Sequence, residues 1–379
     1  MKKILMAVTN YYTSPFQVGS HHYARAFEKL GYEVLFISNP ISPIHKIFAN
    51  NEQLAERERI HDLGGEKNGN ITYYVPKTLF TPQNKPLLSS KFVIKNWYKF
   101  SYPDIVQYIK DKGFESVDIL WFDTSMFSFL LDTIQYKHSI LRLADYSKGF
   151  ATVSENQYDS EVQIANRVDK IIYTAQNLKE KYFDIKDKSK MHYVSNGVDL
   201  EFLKSADKSL PLEYRDISSP IAVYIGAIHQ WFDVNLIYET AIALPKFSFV
   251  IIGPIESDLS KIEALPNVYI LGKKSYTQIA RYLYNADVGI IPFDIVNHKK
   301  LVESINPLKL YEYFTCGLPV VSMNWEELDS LNSPALLCQS TDEFIHALKQ
   351  TQITQDQSEI KAFAKKADWN QRLQEVLNA

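Results

Sequence analysis

The run Asn306-Pro307-Leu308-Lys309-Leu310-Tyr311-Glu312-Tyr313-Phe314-Thr315-Cys316-Gly317-Leu318-Pro319-Val320-Val321 decides the fold class. Asn is a favoured N-cap and Pro a favoured first helical residue, so a helix is predicted over 307–316. Gly317 suits the position just past a helix end and stops it. An apolar strand, 319–322, follows at once, as in a βαβ unit. The start of such a helix offers unbonded N–H groups and the positive end of the helix dipole, a ready anion site. Lys309 adds a full charge in the first turn. Glu312, three residues on, shares its face about 4.5 Å further along the axis. Cation and helix start suit a diphosphate, and a carboxylate there can accept from the vicinal diol of a ribose. Together they outline a site for a nucleotide sugar. The alternative is an ordinary Lys–Glu pair on a capped surface helix.

Outward from this run the same alternation repeats. Short apolar runs at 221–225, 247–252, 268–271 and 288–291 are interleaved with helical patterns at 234–244 and 276–284. Before them lie runs at 4–9, 33–38, 71–75, 117–122, 139–143, 170–174 and 191–194, with helical patterns at 19–30, 105–112 and 127–136. Most runs are continuously apolar, the mark of parallel strands buried on both faces. Residues 205–220 are polar, contain prolines and read as a linker. The expected organisation is α/β: an N-terminal domain over 1–204, the linker, a C-terminal domain over 221–356, and a helix over 357–379 packing back on the first domain. Two such sheets facing one another would form a cleft for two substrates, since ligands bind at the carboxyl ends of strands.

Composition narrows the function classes. Among 379 residues, 41 Lys and Arg oppose 44 Asp and Glu, a net charge of −3 that argues against a general nucleic-acid binder. Hydrophobic residues at 46% and charged residues at 22% are those of a globular chain. Two cysteines, Cys316 and Cys338, exclude a disulfide scaffold and a cysteine-based zinc site, and free thiols fit a reducing compartment. The apolar run at 4–8 is too short for a signal peptide, and no run approaches the roughly 18 residues that span a bilayer. A cytoplasmic protein is expected, peripheral at most on the inner face of the membrane. No Gly-x-Gly-x-x-Gly follows the first strand, which disfavours a dehydrogenase.

The run at 306–321 resembles the donor-site helix of GT-B glycosyltransferases, whose halves are two facing Rossmann-like domains. Tyr224-Ile225-Gly226-Ala227-Ile228-His229-Gln230-Trp231-Phe232-Asp233 resembles the first strand and loop of that family's donor domain. Asn196-Gly197-Val198-Asp199 resembles its turn before the linker, and Asp287-Val288-Gly289-Ile290-Ile291-Pro292-Phe293 the strand before its donor helix. Many retaining members carry two glutamates separated by seven residues. Here Ser304 occupies the first position, with Glu303 one place off. The departure turns the resemblance toward the inverting glucuronosyltransferases of bacterial exopolysaccharide synthesis, of the xanthan type, which have a Lys-bearing helix and an Asp base in the first domain.

The resemblance implies GT-B fold and transfer of a sugar from a nucleotide diphosphate donor, UDP-linked and with UDP-glucuronate in view, to a glycan or lipid-linked glycan. It implies that Lys309 and the Asn306–Pro307 helix start hold the diphosphate and that Glu312 holds the ribose. Asp145, ending an apolar run, fits the general base that an inverting transfer needs; a turn or cap role is the alternative. Asp123, also at a strand end, is the second candidate, although it would N-cap the next helix well. Gly19 permits close backbone approach to a ligand or to the other domain, and His21 or His22 would contact acceptor or phosphate unless structural. Gly226 would let backbone approach phosphate or acceptor, and Tyr276 would stack on the base unless it serves packing. No metal-ligand spacing and no Asp-x-Asp triplet occurs, so neither a metal nor a cofactor beyond the donor is expected. Lys85, Lys91, Lys95 and Lys99 fall among Leu87, Phe92, Trp97 and Phe100 with no acid between, which suits either an anionic membrane or an amphipathic core helix. The rival readings are a retaining transferase, a nucleotide-sugar epimerase on the same scaffold, and an exported two-lobed sugar receptor.

Overall fold

The computed structural model describes residues 1–48, 52–351 and 357–379. It divides into two compact units, Met1–Ser195 with Leu373–Ala379, and Asn196–Arg372.

The first unit is built on an eight-stranded sheet. Its strands are β1 (Lys2–Val8), β2 (Tyr32–Ser38), β3 (Glu66–Asn68), β4 (Ile71–Tyr74), β5 (Ser116–Phe122), β6 (Gln135–Leu143), β7 (Lys170–Tyr173) and β8 (Met191–Tyr193). Their order is β3-β4-β2-β1-β5-β6-β7-β8, parallel except for the β3–β4 pair. Ile4 to Val8 are fully buried, as a central strand covered on both faces requires. The second unit carries β9 (Ile221–Ile225), β10 (Ser248–Ile252), β11 (Val268–Gly272), β12 (Val288–Ile291), β13 (Val320–Met323) and β14 (Leu336–Cys338). These run β11-β10-β9-β12-β13-β14, all parallel, the doubly wound order. In each sheet the order reverses beside the first strand, at β1/β5 and at β9/β12. That is where open α/β sheets take ligands.

Several expectations need correction. No helix fills 127–136. A short turn of 3-10 helix (Ser125–Phe127) and one helical turn (Leu130–Thr133) lead directly into β6, which pairs with β5 from the Ser116–Gln135 register onward. Parallel pairing outweighs the local helical pattern there. The segment 357–377 is two helices, Gln357–Lys365 and Trp369–Asn378. Between them the Val198 N–H donates to Ala367 O at 2.8 Å and the Trp369 N–H to Val198 O, and this bridge interrupts the helix. The division between units falls at 195/196 rather than at 204/205. Val198 and Leu203 are buried against Ala280, Tyr311 and Ala367, which ties 196–204 to the second unit. Residues 373–379 group with the first unit, where Lys170 Nζ donates to Val376 O at 2.7 Å. The expected edge of the second domain at 356 lies outside the described residues. Strands β3 and β14 were not expected, since short edge strands carry no long apolar run.

Candidate active site

In the first unit the carboxyl ends of β1, β2, β5 and β6 open onto one cavity of about 830 Å³. Asp123, Arg142 and Asp145 all line it. Arg142 is the residue that sequence reasoning missed here. It interrupts the apolar run Ile140-Leu141-Arg142-Leu143, and a charge inside a buried strand is a signal for a buried partner. That partner is Asp123: Arg142 Nη1 lies 3.6 Å from Asp123 Oδ1, with both side chains 6% exposed. Burial raises the Asp123 carboxyl above its usual range and Arg142 opposes the shift. Asp123 caps no helix, since Thr124 Oγ1 accepts from the Met126 N–H instead. Gly19 serves this pair rather than a ligand. A Cβ there would come within 2.6 Å of the Arg142 Cζ.

Asp145 is half-buried and lines the cavity. Its backbone carbonyl accepts from Tyr182 Oη at 3.1 Å, while its carboxylate makes no hydrogen bond to the described residues. Burial raises its pKa and Arg142 partly offsets this. Glu161, also missed from sequence, lines the cavity from helix Glu155–Arg167, one helical turn from Gln157 on the same face. It accepts from Ser147 Oγ at 2.6 Å and Tyr182 Oη at 2.8 Å, which fixes the loop carrying Asp145. His21 and His22 do not line the cavity. His21 accepts at Nδ1 from the Val18 N–H and places Nε2 3.0 Å from Tyr11 O, and burial lowers its pKa to about 4. His22 is buried beside Arg25, with Nδ1 2.9 Å from its Nη2, and burial holds it well below the usual imidazole range. Both are structural, neutral imidazoles.

In the second unit, helix Leu308–Thr315 begins beside the β9/β12 reversal. Tyr313 fixes it to the sheet, its hydroxyl accepting from the Ile225 N–H at 2.8 Å. Lys309 Nζ sits 5.0 Å from the Tyr224 ring centroid and 4.4 Å from that of Phe293, held over two aromatic faces. It makes no hydrogen bond to the described residues. Burial lowers its pKa to about 8 with Glu312 opposing, and raises Glu312 to about 7 with Lys309 opposing. Gly226 follows β9 with φ +156°, and a Cβ there would meet Lys309 Cε at 3.0 Å. Its missing side chain makes room for the lysine. A poorly solvated ammonium beside free helix N–H groups is a site that a diphosphate would satisfy.

Two residues expected at this site are engaged elsewhere. Asn306 is not the N-cap; Pro307 occupies that position without a side-chain bond. Asn306 is buried, and its Nδ2 donates to Glu327 Oε1 at 2.7 Å while its Oδ1 accepts from Tyr311 Oη at 3.0 Å and the Asn196 N–H at 3.2 Å. It braces the helix. The Tyr276 ring stacks on Phe202 with centroids 4.8 Å apart, so one face is already packed, and its hydroxyl lies against Glu312. Glu303 lines a second cavity of about 390 Å³ with Lys299, Asp329 and Trp325, whereas Ser304 is buried. Among the described residues no group of three or more His, Cys, Asp or Glu side chains is placed to hold a metal ion. No helix among them is long and apolar enough to cross a membrane.

Known proteins repeat this division into two halves. Residues 6–174 match the family described as glucuronosyltransferase GumK, N-terminal domain, and residues 219–352 the family described as glycosyl transferases group 1. The chain is 31% identical over 186 residues to a Bacillus subtilis (strain 168) protein named as the teichuronic acid biosynthesis glycosyltransferase TuaH. That match takes in 46% of this chain and 45% of TuaH, under half the length of the relative. Among solved structures, Anabaena HepE in complex with UDP and glucose superposes with a TM-score of 0.68 at 15% identity, covering 100% of both chains. Sucrose-phosphate synthase from Thermosynechococcus elongatus gives 0.67 at 13% identity, covering 99% of this chain and 94% of that one. The chain has the GT-B fold and resembles GT-B glycosyltransferases in both halves, the first of the GumK type and the second of group 1.

Proposed function

We propose that the protein is a glycosyltransferase of bacterial surface polysaccharide synthesis. It moves a sugar from a nucleotide diphosphate donor, UDP-linked and with UDP-glucuronate as first candidate, to a glycan or lipid-linked glycan. The observation that carries the reading is Lys309, an ammonium held over Tyr224 and Phe293 at the start of helix Leu308–Thr315. TuaH, named for teichuronic acid biosynthesis, and HepE, solved with UDP, supply the polymer class and the nucleotide.

In the proposed reaction Asp145 accepts the proton of the acceptor hydroxyl as that oxygen attacks the anomeric carbon. Attack comes from the face opposite the nucleotide, so configuration inverts. The bond from the anomeric carbon to the diphosphate breaks, and the charge left on the phosphate is met by Lys309 and the helix N–H groups. With the diphosphate met by these protein charges, the proposed transfer needs no metal ion. Glu312 accepts from the ribose diol. Peripheral membrane contact is assigned to 85–100. That segment carries Lys85, Lys91, Lys95 and Lys99, no acidic residue, and side chains of Leu87 and Phe92 that are 85% and 61% exposed. Val93, Ile94 and Trp97 of the same segment are core, so only its outer face is available to lipid.

The test is a thermal-shift screen against UDP, GDP, dTDP and ADP, paired with transfer assays. UDP should stabilise wild type and Asp145→Asn alike, while Asp145→Asn loses transfer. Equal turnover by the two proteins would remove the base assignment.

A further inference from the structure

The cavity of the first unit has a second chemical character that proton transfer does not use. Arg57, His45 and Lys85 line it as well. Arg57 reaches the loop after β2, where its Nη2 donates to Asn39 O at 2.8 Å and Pro40 O at 3.2 Å. Among the described residues its Nε and Nη1 have no acceptor and no carboxylate is paired with it. Burial lowers its pKa to about 10, and the Tyr11 hydroxyl opposes the shift. His45 accepts the Ser42 N–H at Nδ1, 3.0 Å away, so a neutral ring carries its proton on Nε2 and remains a donor. The charges of Arg57 and Lys85 both act on it. Two cations and a neutral N–H donor thus border a cavity, and a half-buried guanidinium with no carboxylate beside it among the described residues is an arrangement that an anion would complete.

The sheet gives the distance scale. Asn39 follows β2 and Asp145 follows β6, with β1 and β5 between them. Three strand spacings of about 4.8 Å separate the two ends, roughly 14 Å. We infer that the Arg57, His45 and Lys85 end of this cavity is a phosphate subsite for the acceptor, engaging a phosphate or diphosphate some 14 Å, roughly three strand spacings, from the hydroxyl that Asp145 deprotonates. The subsite stands on this cavity alone, and its assignment to the acceptor rests on the glycosyltransferase reading. An acceptor that fills it carries its phosphate a few sugar units from the attacked hydroxyl. Arg57 supplies N–H donors at Nε and Nη1, Lys85 a second positive charge, and His45 a neutral donor.

The test uses the full chain saturated with UDP, so that the second unit cannot take the probe. Binding of decyl diphosphate, inorganic pyrophosphate and decanol is measured by calorimetry for wild type, Arg57→Gln and Lys85→Gln. Decyl diphosphate should bind, decanol should not match it, and each substitution should weaken the diphosphate at least about tenfold, as loss of a charge-assisted hydrogen bond does. UDP affinity should stay unchanged in both variants. Pyrophosphate binding as tightly as decyl diphosphate would keep the subsite and assign it to a free phosphate ligand; a preference for the decyl compound assigns it to a lipid-borne one. Lys85 is exposed, so its substitution tests the site even if Arg57→Gln fails to fold. Wild type binding decanol and decyl diphosphate equally, or Lys85→Gln and Arg57→Gln both retaining full diphosphate affinity, would overturn the inference. Failure of UDP to bind, with diphosphate binding still lost in the variants, would count against the donor reading and leave the subsite standing.

Discussion

In the proposed donor site, Lys309 makes UDP affinity depend on pH in a direction that can be worked out beforehand. Its ammonium stands at about 8 because burial strips water from it. A bound diphosphate favours the charged form and pulls the pKa back up, so binding takes up a proton wherever the free lysine is neutral. With a free value of about 8, the charged fraction falls from about nine-tenths at pH 7 to about one-tenth at pH 9. Affinity should therefore drop about tenfold over that range, ~1.4 kcal/mol. Glu312, at about 7, acts on the other side: its carboxylate accepts from the ribose only when ionised, so affinity should also fall toward pH 6. The two groups titrate as a pair, and the optimum lies between about 7 and 8. Calorimetry with UDP at half-unit steps from pH 6 to 9, in two buffers of different ionisation enthalpy, reads both affinity and proton uptake. Lys309→Met should bind weakly and lose the alkaline slope. A wild-type affinity flat from pH 7 to 9, or the same slope in Lys309→Met, would refute the argument.

The same two shifts act on folding with their own signs. The folded pKa of Lys309 lies below its usual 10.5, so between about 8 and 10.5 the unfolded chain binds more protons and stability rises with pH. Glu312 is raised from 4.5 to about 7, so across that interval the folded chain binds more protons and stability falls as pH rises. These two shifts thus stabilise the ligand-free unit least in the pH range where the proposed nucleotide binding is strongest.

Asn306→Ala should cost about 2–4 kcal/mol in chemical denaturation, because Tyr311, Asn196 and Glu327 each lose a buried hydrogen-bond partner; a cost under about 0.5 kcal/mol, the level of an ordinary surface change, would mean that the network does not brace the helix. The face carrying Leu87 and Phe92 should bind anionic vesicles in preference to zwitterionic ones, with a salt dependence, and Leu87→Ser with Phe92→Ser should weaken that binding more than about tenfold. Equal sedimentation with both vesicle types, or an unaffected double variant, would sink the membrane assignment.

The central strands were legible because burial on both faces leaves a continuous apolar run, as at 221–225 and 288–291, where the read bounds match β9 and β12. The helix Leu308–Thr315 was legible from Pro307 and Gly317, whose backbone preferences act locally. What failed was whatever depends on partners distant in sequence. Asn306 reads as a cap from its neighbours alone, and only Asn196 and Glu327, far away along the chain, show it to be a brace. Residues 127–136 read as a helix until β5 claims their second half. The two histidines opening the helix Gly19–Lys29 look accessible in sequence and are buried in the fold.

The two carboxylates at the ends of β5 and β6 show how similar sequence settings diverge chemically. Both are raised by burial, and both feel Arg142. Asp123 has the guanidinium at 3.6 Å, and Gly19 gives up its side chain to let Arg142 reach it. Its negative charge offsets the burial of Arg142 in the sheet, so protonating it would cost the guanidinium an ion-pair partner. Asp145 lacks such a partner; its carboxylate faces the cavity while Tyr182 and Glu161 steady the backbone and loop around it. A group that must take a proton and give it up again needs an environment that tolerates both states. By that criterion Asp123 is the counter-ion of Arg142, Arg142 is the shared neighbour that partly offsets the rise of Asp145, and Asp145 is the better choice for the proposed base.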